Sequence, residues 1–330
     1  MFFLELTEYT VICKNIIIYY IMPTLTEIYN ANVSGIQSQL NATIRKINLM
    51  RIHNAFKKVL INRAINDSNA ILKKITEKYN QNAKKQYAFL VGINYTGTIN
   101  ELYGCINDTK NVEGFLKNKY NFTNVTLLND ETPEKPTKQN ILTGLRTLLS
   151  NTASGDTAFF MFSGHGTCTA DFNKDEADGQ DEVIVPIDAY SIGTCIIDDE
   201  LNRMIRDTLK PGAKLVALFD CCFSGTVLDL RYTYGYPNNT NVSETAGDVY
   251  MISGCTDQQI SMDTVAPFNG KEMASGAMTY AFLSMIKETT IMGDLVTKMQ
   301  TFLKENGYSQ RPLLSSGKLV DYGKTSFLQN

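Results

Sequence analysis

The chain has 330 residues, of which 43% are hydrophobic and 20% are charged, and its formal net charge is −3. This composition is typical of a globular protein with a sizeable core, and the length allows one large α/β domain with an appendage or two ordinary domains. The seven cysteines, odd in number and without regular spacing, argue against a disulfide framework and predict a reducing, cytoplasmic location.

The first 22 residues are largely apolar but are interrupted by Glu5, Glu8 and Lys14. The uninterrupted run from Ile16 to Met22 is too short to span a bilayer, so no stable membrane insertion is expected. No small-residue cleavage site follows this run, which argues against a signal peptide, and Met22 offers an alternative start of the protein.

Residues 34–81 carry apolar side chains at helical spacing and predict two or three amphipathic helices with a break at Asp67-Ser68-Asn69. Within residues 45–85, eleven Lys or Arg residues stand against two acidic ones. Such a basic arm is typical of a nucleic-acid or membrane contact, of a removable pro-segment, or of a solvated helix face. Aromatic interleaving is absent, which favours a structural or pro-segment role over nucleic-acid binding. Lys84-Lys85 marks the end of the arm, so the sequence divides into a helical arm, residues 1–85, and a main domain, residues 86–330.

Beyond residue 85, apolar runs of strand length alternate with helical patterns. The predicted strands are, in order, residues 87–93, 125–128, 157–162, 183–187, 215–219, 247–253 and 312–314. The predicted helices are residues 107–119, 137–149, 198–209, 276–287 and 293–305. This alternation implies βαβ units and a mainly parallel sheet that is covered by helices on both faces.

Two of the predicted strands end on residues that can carry nucleophilic chemistry. The run 215–219 is followed by Asp220, Cys221 and Cys222, and the run 157–162 by Ser163-Gly-His165-Gly. Open α/β sheets place their active sites at the carboxyl ends of strands, so a Cys–His dyad is expected. Successive side chains of a strand point to opposite faces, so one cysteine should meet His165 while the other packs as a small hydrophobe.

Further sequence blocks accompany these two motifs. Ser-Gly-His-Gly at 163–166 is followed about 57 positions later by Asp-Cys-Cys-Phe-Ser-Gly at 220–225. The additional blocks are Leu-Tyr-Gly-Cys-Ile-Asn-Asp at 102–108, Ile-Asp-Asp at 197–199, Ser-Gly-Cys-Thr-Asp at 253–257 and Gln-Arg-Pro-Leu-Leu-Ser-Ser at 310–316. In this order they resemble the metacaspases, caspase-like cysteine peptidases found outside animals, over residues 86–316. In that family the nucleophile is the third residue of Asp-x-Cys-x-Ser-Gly, which implies Cys222 as nucleophile and His165 as its base. Phe223 stands where many members carry histidine, a difference that we expect to be tolerated.

The resemblance implies a caspase-like α/β sandwich, preceded here by the helical arm. It implies an endopeptidase that cleaves protein and peptide substrates after Arg or Lys, and we expect it to act as a monomer. The implied specificity pocket for the basic side chain consists of Asp108, Ser163 and Asp220. Calcium is the implied cofactor, because four gathered carboxylates repel one another strongly unless a hard cation neutralises them. The implied calcium ligands are Asp181, Asp198, Asp199 and Asp229. Some family members cut themselves at basic residues, and the candidate positions here are Lys84, Lys85 and Lys271.

Three alternatives remain beside this interpretation. Asp108 also suits the N-terminal turn of a helix, where the dipole favours a carboxylate. The acidic loop 171–182 matches part of an EF-hand, but Glu176 replaces the glycine needed at its sixth position, and the predicted flanks are not helices. The competing class of function is a catalytically weak or inactive caspase-like scaffold that binds partners or regulates them through the same fold.

Overall fold

A computed structural model of the chain describes residues 25–49, 54–82, 84–171, 179–235, 238–239, 241–254, 263–268 and 271–328. The chain divides into two compact units, residues 1–83 and 84–330. The predictions made for the first 22 residues lie outside the described part. Within the described part, no helix has both the length and the hydropathy that a membrane crossing requires.

Within its described residues, the first unit contains two helices that pack against each other, α1 (Leu25–Leu49) and α2 (Asn54–Asn82). Tyr29 of α1 and Thr76 of α2 share a hydrogen bond of 3.0 Å between their hydroxyl groups. The break predicted at residues 67–69 is wrong, because α2 runs through this segment without interruption. Asp and Ser lower helix propensity by only tenths of a kcal/mol, roughly 0.5 at each position, so the packing of a long helix outweighs them.

The second unit is built from five helices and twelve strands within the residues that the structure describes. Its helices are α3 (Cys105–Tyr120), α4 (Lys138–Asn151), α5 (Asp198–Thr208), α6 (Ala277–Met285) and α7 (Met292–Glu305). Its strands are β1 (Gln86–Gly92), β2 (Asn124–Asn129), β3 (Thr157–Ser163), β4 (Gly166–Ala170), β5 (Gln180–Ile184), β6 (Ile196–Ile197), β7 (Lys214–Asp220), β8 (Tyr232–Thr233), β9 (Asp248–Ser253), β10 (Asp263–Phe268), β11 (Lys271–Gly276) and β12 (Leu313–Ser316).

Seven of these strands form the central sheet, in the order β2-β1-β3-β7-β9-β12-β8. The five strands from β2 to β9 are parallel to one another, whereas β12 pairs antiparallel with β9 and β8. The strands β4, β5 and β6 form a small antiparallel sheet, and β10 pairs antiparallel with β11. The predicted α/β architecture, a mainly parallel central sheet with helices before it and around it, is confirmed.

Both faces of the central sheet are buried, so its strands are nearly continuous apolar runs. Phe160 and Phe219 point into one hydrophobic cluster, which α4 and α5 cover. The adjacent Phe159 and Leu218 point into the opposite cluster, which α3, α6 and α7 cover. This alternation is the two-residue period of a β-strand, and it fixes which side chains remain available at the strand ends.

Strands β3 and β7 end level with each other. Ser163, the last residue of β3, is the register partner of Asp220, the last residue of β7. The pairing continues one residue further, because the Gly164 amide donates to the carbonyl oxygen of Asp220 at 3.3 Å. The residues that follow both strands therefore lie side by side at the carboxyl ends of the parallel strands.

Candidate active site

Cys222 and the backbone beside His165 are in direct contact. A Cβ atom placed on Gly166 would lie 2.1 Å from the carbonyl oxygen of Cys222 and 3.3 Å from the Cβ of Cys221. Cys221 is fully buried in the hydrophobic cluster, whereas Cys222 is partly exposed. Of the two adjacent thiols, Cys222 is therefore the accessible one, and its carbonyl group lies against Gly166, the residue directly after His165.

The turn after β7 directs the chain away from the sheet immediately after Cys222. Phe223 has a φ of 50°, in the left-handed region that residues with a Cβ adopt rarely. The buried Ser224 hydroxyl donates to the carbonyl oxygen of Cys221 at 2.9 Å and closes the turn. Unusual backbone conformations of this kind need support from their surroundings, and they occur often at functional sites.

His165 is held by contacts from one loop that follows β1. Its backbone amide donates to the Tyr95 hydroxyl at 2.9 Å, and the two rings lie 4.6 Å apart between centroids. Its Nε2 lies 2.7 Å from the carbonyl oxygen of Asn100. Because a carbonyl oxygen can only accept, Nε2 carries the proton in the neutral ring and Nδ1 has the free lone pair. The imidazole therefore presents Nδ1 as the basic atom.

The three residues of the predicted specificity pocket lie together at the carboxyl ends of β3 and β7. Asp108, in the first turn of α3, is fully buried, and its Oδ2 accepts a hydrogen bond of 2.9 Å from the Ser163 hydroxyl. Its other partners are the Ser275 hydroxyl and the Gly276 amide, which lies 3.0 Å from both carboxylate oxygens. These contacts join Asp108 to the last two residues of β11, directly before α6, so its hydrogen bonds are mainly tertiary and do not cap its own helix.

Asp220 makes a parallel set of contacts with α6. Its Oδ2 accepts hydrogen bonds from the Thr279 amide at 2.8 Å and from the Thr279 hydroxyl at 2.7 Å. Burial raises the pKa of Asp108 well above the usual range, and the nearby charge of Asp220 raises it further. Two neighbouring carboxyl groups in a buried site favour a ligand that brings a positive charge.

Three buried carboxyl groups lie together near the chain that follows Cys222. One oxygen from each of Glu182, Asp198 and Asp229 lies within 4.8 Å of the others. Asp198 and Asp229 belong to the predicted calcium set, whereas Glu182 was not predicted. Burial is the main cause that raises the pKa of Asp198 to about 7, and the charge of Asp181 adds to it. Asp181 and Asp199 are outside the group of three, although the Asp199 amide donates to Asp198 Oδ1 at 2.8 Å.

This acidic cluster is connected to the loop that follows Cys222. The Thr226 hydroxyl donates to Oε2 of Glu182, and the amide of Asp229 donates to the Thr226 carbonyl. The buried side-chain amide of Asn202 donates to the carbonyl oxygens of Leu228 and Asp229 at 2.8 and 3.0 Å. The cluster and the helix α5 are therefore joined by hydrogen bonds to residues 226–229.

The remaining candidates are the three lysines predicted as processing sites and the acidic loop. Lys84 and Lys85 are exposed and directly precede β1, while Lys271 is the first residue of β11. Residues 172–178 of the acidic loop lie outside the described part, but the loop connects the antiparallel strands β4 and β5. An EF-hand requires a helix on each side, so this arrangement agrees with the expectation that the loop is not one.

Several residues of the site were missed from sequence. Tyr95 carried a signal, because it follows the predicted strand 87–93 and so lies at the same sheet edge as His165. Asn100 contributes only its backbone, which no side-chain pattern reveals. Ser275, Gly276 and Thr279 reach the pocket through the tertiary packing of α6, for which the sequence offers no local signal.

Comparison with known proteins shows the family to which the chain is similar. Residues 84–231 match the family model "Metacaspase, peptidase C14 domain". The chain is 34% identical over 306 residues to "Metacaspase-1" of Kluyveromyces lactis, covering 75% of this chain and 69% of that protein. It is 35% identical over 262 residues to "Metacaspase-2" of Trypanosoma brucei brucei, covering 72% and 75% of the two chains.

A crystal structure of a Geobacter sulfurreducens protein has the same fold, with a TM-score of 0.54 and 21% identity, and it covers 73% of this chain and 97% of the other. The family model matches residues 84–231, and two curated relatives match most of their own length at about one third identity. The chain therefore belongs to the metacaspases, which are cysteine peptidases with a caspase-like fold.

Proposed function

We propose that the protein is a calcium-dependent cysteine endopeptidase that cleaves protein and peptide substrates after Arg or Lys, with Cys222 as nucleophile and His165 as general base. Membership of a cysteine peptidase family supports the reaction class. The observation that carries the dyad is the contact between Gly166 and the Cys222 carbonyl, which brings the accessible thiol next to the histidine loop. The alternative of an inactive scaffold is decided by the experiment below.

The proposed reaction follows from the hydrogen bonds of His165. Nε2 donates to the Asn100 carbonyl, so Nδ1 accepts the proton of the Cys222 thiol and the resulting thiolate attacks the scissile carbonyl. The imidazolium then gives this proton to the leaving amine, which departs as the C-terminal product and leaves an acyl group on the Cys222 sulfur. Water, deprotonated by the same imidazole, hydrolyses the thioester and restores the thiol.

The preference for Arg or Lys is supported by the two buried pocket carboxyl groups. Asp108 and Asp220 raise the electrostatic cost of any further negative charge, so a substrate with Asp at the cleaved position is disfavoured. A guanidinium or ammonium group offsets that cost and donates hydrogen bonds to the carboxylates. Asp108 is already bonded by Ser163, Ser275 and Gly276, so it orients the pocket, and Asp220 is the better candidate for the direct ion pair.

Calcium dependence is supported by the donor set of Glu182, Asp198 and Asp229. Three buried carboxyl groups offer the hard oxygen ligands that calcium prefers, and their mutual repulsion falls when a divalent cation is bound. These residues would hold the ion, with Asp181 and Asp199 adjacent. When bound, calcium supplies positive charge that favours the ionised carboxylates and so stabilises residues 226–229, which follow Cys222 in the chain.

The proposed function includes cleavage of the chain by itself after one of three lysines, Lys84, Lys85 or Lys271. Lys84 and Lys85 are exposed between α2 and β1, where cleavage would release the helical arm. Cleavage after Lys271 would cut the chain within β11, after the first residue of that strand. Incubation of the purified chain with calcium, followed by intact-mass measurement, should give fragments that end at one of these residues. The Cys222→Ala variant should stay intact under the same conditions, and fragments from that variant would show that cleavage does not need this thiol.

The test of the activity is hydrolysis of fluorogenic peptides that end in Arg, Lys or Asp, with calcium and with a chelator. We expect hydrolysis of the Arg and Lys peptides in calcium only, loss of activity in Cys222→Ala and His165→Ala, and activity in Cys221→Ala if that variant folds. Asp220→Asn should abolish the Arg preference. Asp248→Asn, in an exposed ion pair with Lys318, is the matched control and should keep it. Activity in Cys222→Ala would refute the dyad, and a wild-type chain that cleaves no peptide would support the scaffold.

A further inference from the structure

We infer that Tyr95 is a positioning residue for His165, holding the backbone and the ring face of the proposed base in the orientation that proton transfer needs. This inference rests on the proposed dyad, because it assigns a task to a residue that touches His165 but not the scissile bond. Tyr95 lies three residues beyond β1, in the loop that also supplies the Asn100 carbonyl.

The Tyr95 hydroxyl is part of a closed cycle of hydrogen bonds around the backbone of His165. The His165 amide donates to the hydroxyl oxygen at 2.9 Å, and the hydroxyl donates to the carbonyl oxygen of Val185 at 2.6 Å. The Val185 amide then donates to the carbonyl oxygen of His165 at 3.1 Å. Both backbone groups of the histidine are thereby fixed, although the residue lies between β3 and β4 and belongs to neither strand.

The Tyr95 ring acts on the imidazole itself. The two ring centroids lie 4.6 Å apart with an angle of 37° between the planes. The face of an aromatic ring attracts a cation within about 6 Å of its centroid. The imidazole becomes a cation when it takes the thiol proton, so the Tyr95 ring is placed to favour that charged form and to restrict rotation of the histidine side chain.

The backbone of Tyr95 is itself fixed by hydrogen bonds, so the residue can hold His165 in position. Its backbone has a φ of 52°, and its carbonyl accepts hydrogen bonds from the Thr98 amide at 3.1 Å and the Thr98 hydroxyl at 2.8 Å. The amides on both sides of it, from Asn94 and Thr96, donate to the two carboxylate oxygens of Asp130 at 2.8 and 3.0 Å. Burial raises the pKa of Tyr95 well above its ordinary value, so the hydroxyl keeps its proton and remains a donor.

The glycine before the histidine leaves room for this hydroxyl. A Cβ atom at Gly164 would lie 2.9 Å from the Tyr95 hydroxyl oxygen and 3.0 Å from the Phe162 ring. The Ser-Gly-His-Gly motif therefore has a separate steric reason for each glycine. Gly164 admits the Tyr95 hydroxyl, and Gly166 admits the Cys222 carbonyl.

Two substitutions separate the two contacts of Tyr95. Tyr95→Phe removes the hydroxyl but keeps the ring, and Tyr95→Leu removes both. Because loss of base alignment slows the chemical step but not substrate binding, we expect kcat to fall about 10-fold in Tyr95→Phe and about 100-fold in Tyr95→Leu, with KM within about twofold of wild type. Tyr120→Phe is the matched control, since Tyr120 is as buried as Tyr95 but packs in the cluster on the opposite face, and it should leave kcat unchanged.

A second measurement shows whether Tyr95 acts through His165. The rate at which iodoacetamide alkylates Cys222, located by mass spectrometry, reports the thiolate and needs no substrate. We expect Tyr95→Phe to slow alkylation about 10-fold in the wild-type background and to have no further effect in the His165→Ala background. Circular dichroism melts of all variants verify that each chain is folded at the assay temperature.

The outcomes distinguish this inference from the function on which it rests. Wild-type kcat and alkylation in His165→Ala would overturn the dyad and with it the role of Tyr95. Loss of both in His165→Ala, with Tyr95→Phe and Tyr95→Leu unchanged, would overturn the positioning role alone. Equal effects of Tyr95→Phe with and without His165 would show that the tyrosine supports the fold and does not act through the histidine.

Discussion

Gly166→Ala is the substitution that should most directly test whether the proposed dyad depends on close contact between the loop with His165 and the loop with Cys222. The added Cβ would lie 2.1 Å from the Cys222 carbonyl oxygen, and real Cβ atoms essentially never approach another heavy atom closer than 3.0 Å. Because both atoms belong to backbone segments, neither can move away by a change of rotamer. The loop with His165 and the loop with Cys222 must therefore separate by roughly 1 Å, the limit set by van der Waals contact.

That displacement sets the expected magnitude. A misplacement of about 1 Å between reacting groups can cost on the order of 100-fold in rate, so kcat/KM on an Arg peptide should fall by roughly that factor. Overpacking typically costs about 1–3 kcal/mol, which corresponds to a lower Tm by roughly 2–12 °C in a domain of this size. Steady-state hydrolysis and thermal unfolding of the same preparation measure the two effects.

Gly114→Ala is the matched control for this experiment. Gly114 lies within α3, has no neighbouring atom within 4 Å of an added Cβ, and does not require a left-handed backbone. Alanine there should raise stability by up to about 1 kcal/mol and leave hydrolysis unchanged. A Gly166→Ala variant with kcat/KM within about twofold of wild type would refute the close approach of the two loops.

Three further outcomes follow from contacts described above. Gly276→Ala would place a Cβ 2.1 Å from an oxygen of the Asp220 carboxylate, so KM for Arg peptides should rise at least about 10-fold while alkylation of the nucleophile stays at the wild-type rate. An unchanged KM would contradict the assignment of the pocket. Asn202→Ala leaves two buried carbonyl groups without their shared amide donor, one of them that of Asp229. Chemical denaturation should show a loss of about 1–3 kcal/mol, and wild-type stability would argue against a structural role for this amide. Thr137→Ala removes the side chain that caps α4, so stability should fall by about 1 kcal/mol with kcat/KM unchanged, whereas a loss of activity would link α4 to the site.

The elements that carry the site were predictable because their signals are local. Residues 215–219 form a continuous apolar run, and the strand observed there is 214–220. The helix predicted at 107–119 is observed at 105–120. A strand buried on both faces carries mainly apolar residues, so an abrupt change to Asp and Cys marks its end without any knowledge of its neighbours.

The parts that could not be predicted depend on pairing between distant segments. The strand β4, with the sequence Gly-Thr-Cys-Thr-Ala, has neither a continuous apolar run nor clear alternation, and it is a strand because it pairs with β5. The strand predicted at 183–187 is observed at 180–184, and Pro186 lies beyond it, where its missing amide cannot weaken the pairing. Asp181 and Glu182 are adjacent in sequence, and the fold decides which of them joins Asp198 and Asp229.

Because β3 and β7 end level with each other, insertions into the chain are tolerated at some positions between His165 and Cys222 and not at others. His165 and Cys222 each lie two residues beyond the end of a strand, and the chain between β3 and β7 contains β4, β5, β6 and α5 with loops that join them. Doubling the length of a flexible loop costs only about 0.6 kcal/mol, so insertions in those loops are tolerated. A single residue inserted within β7 would instead exchange the faces on which Cys221 and Cys222 lie. The interval between the two motifs is therefore free to vary among related chains, whereas the number of residues in each of the two strands is not.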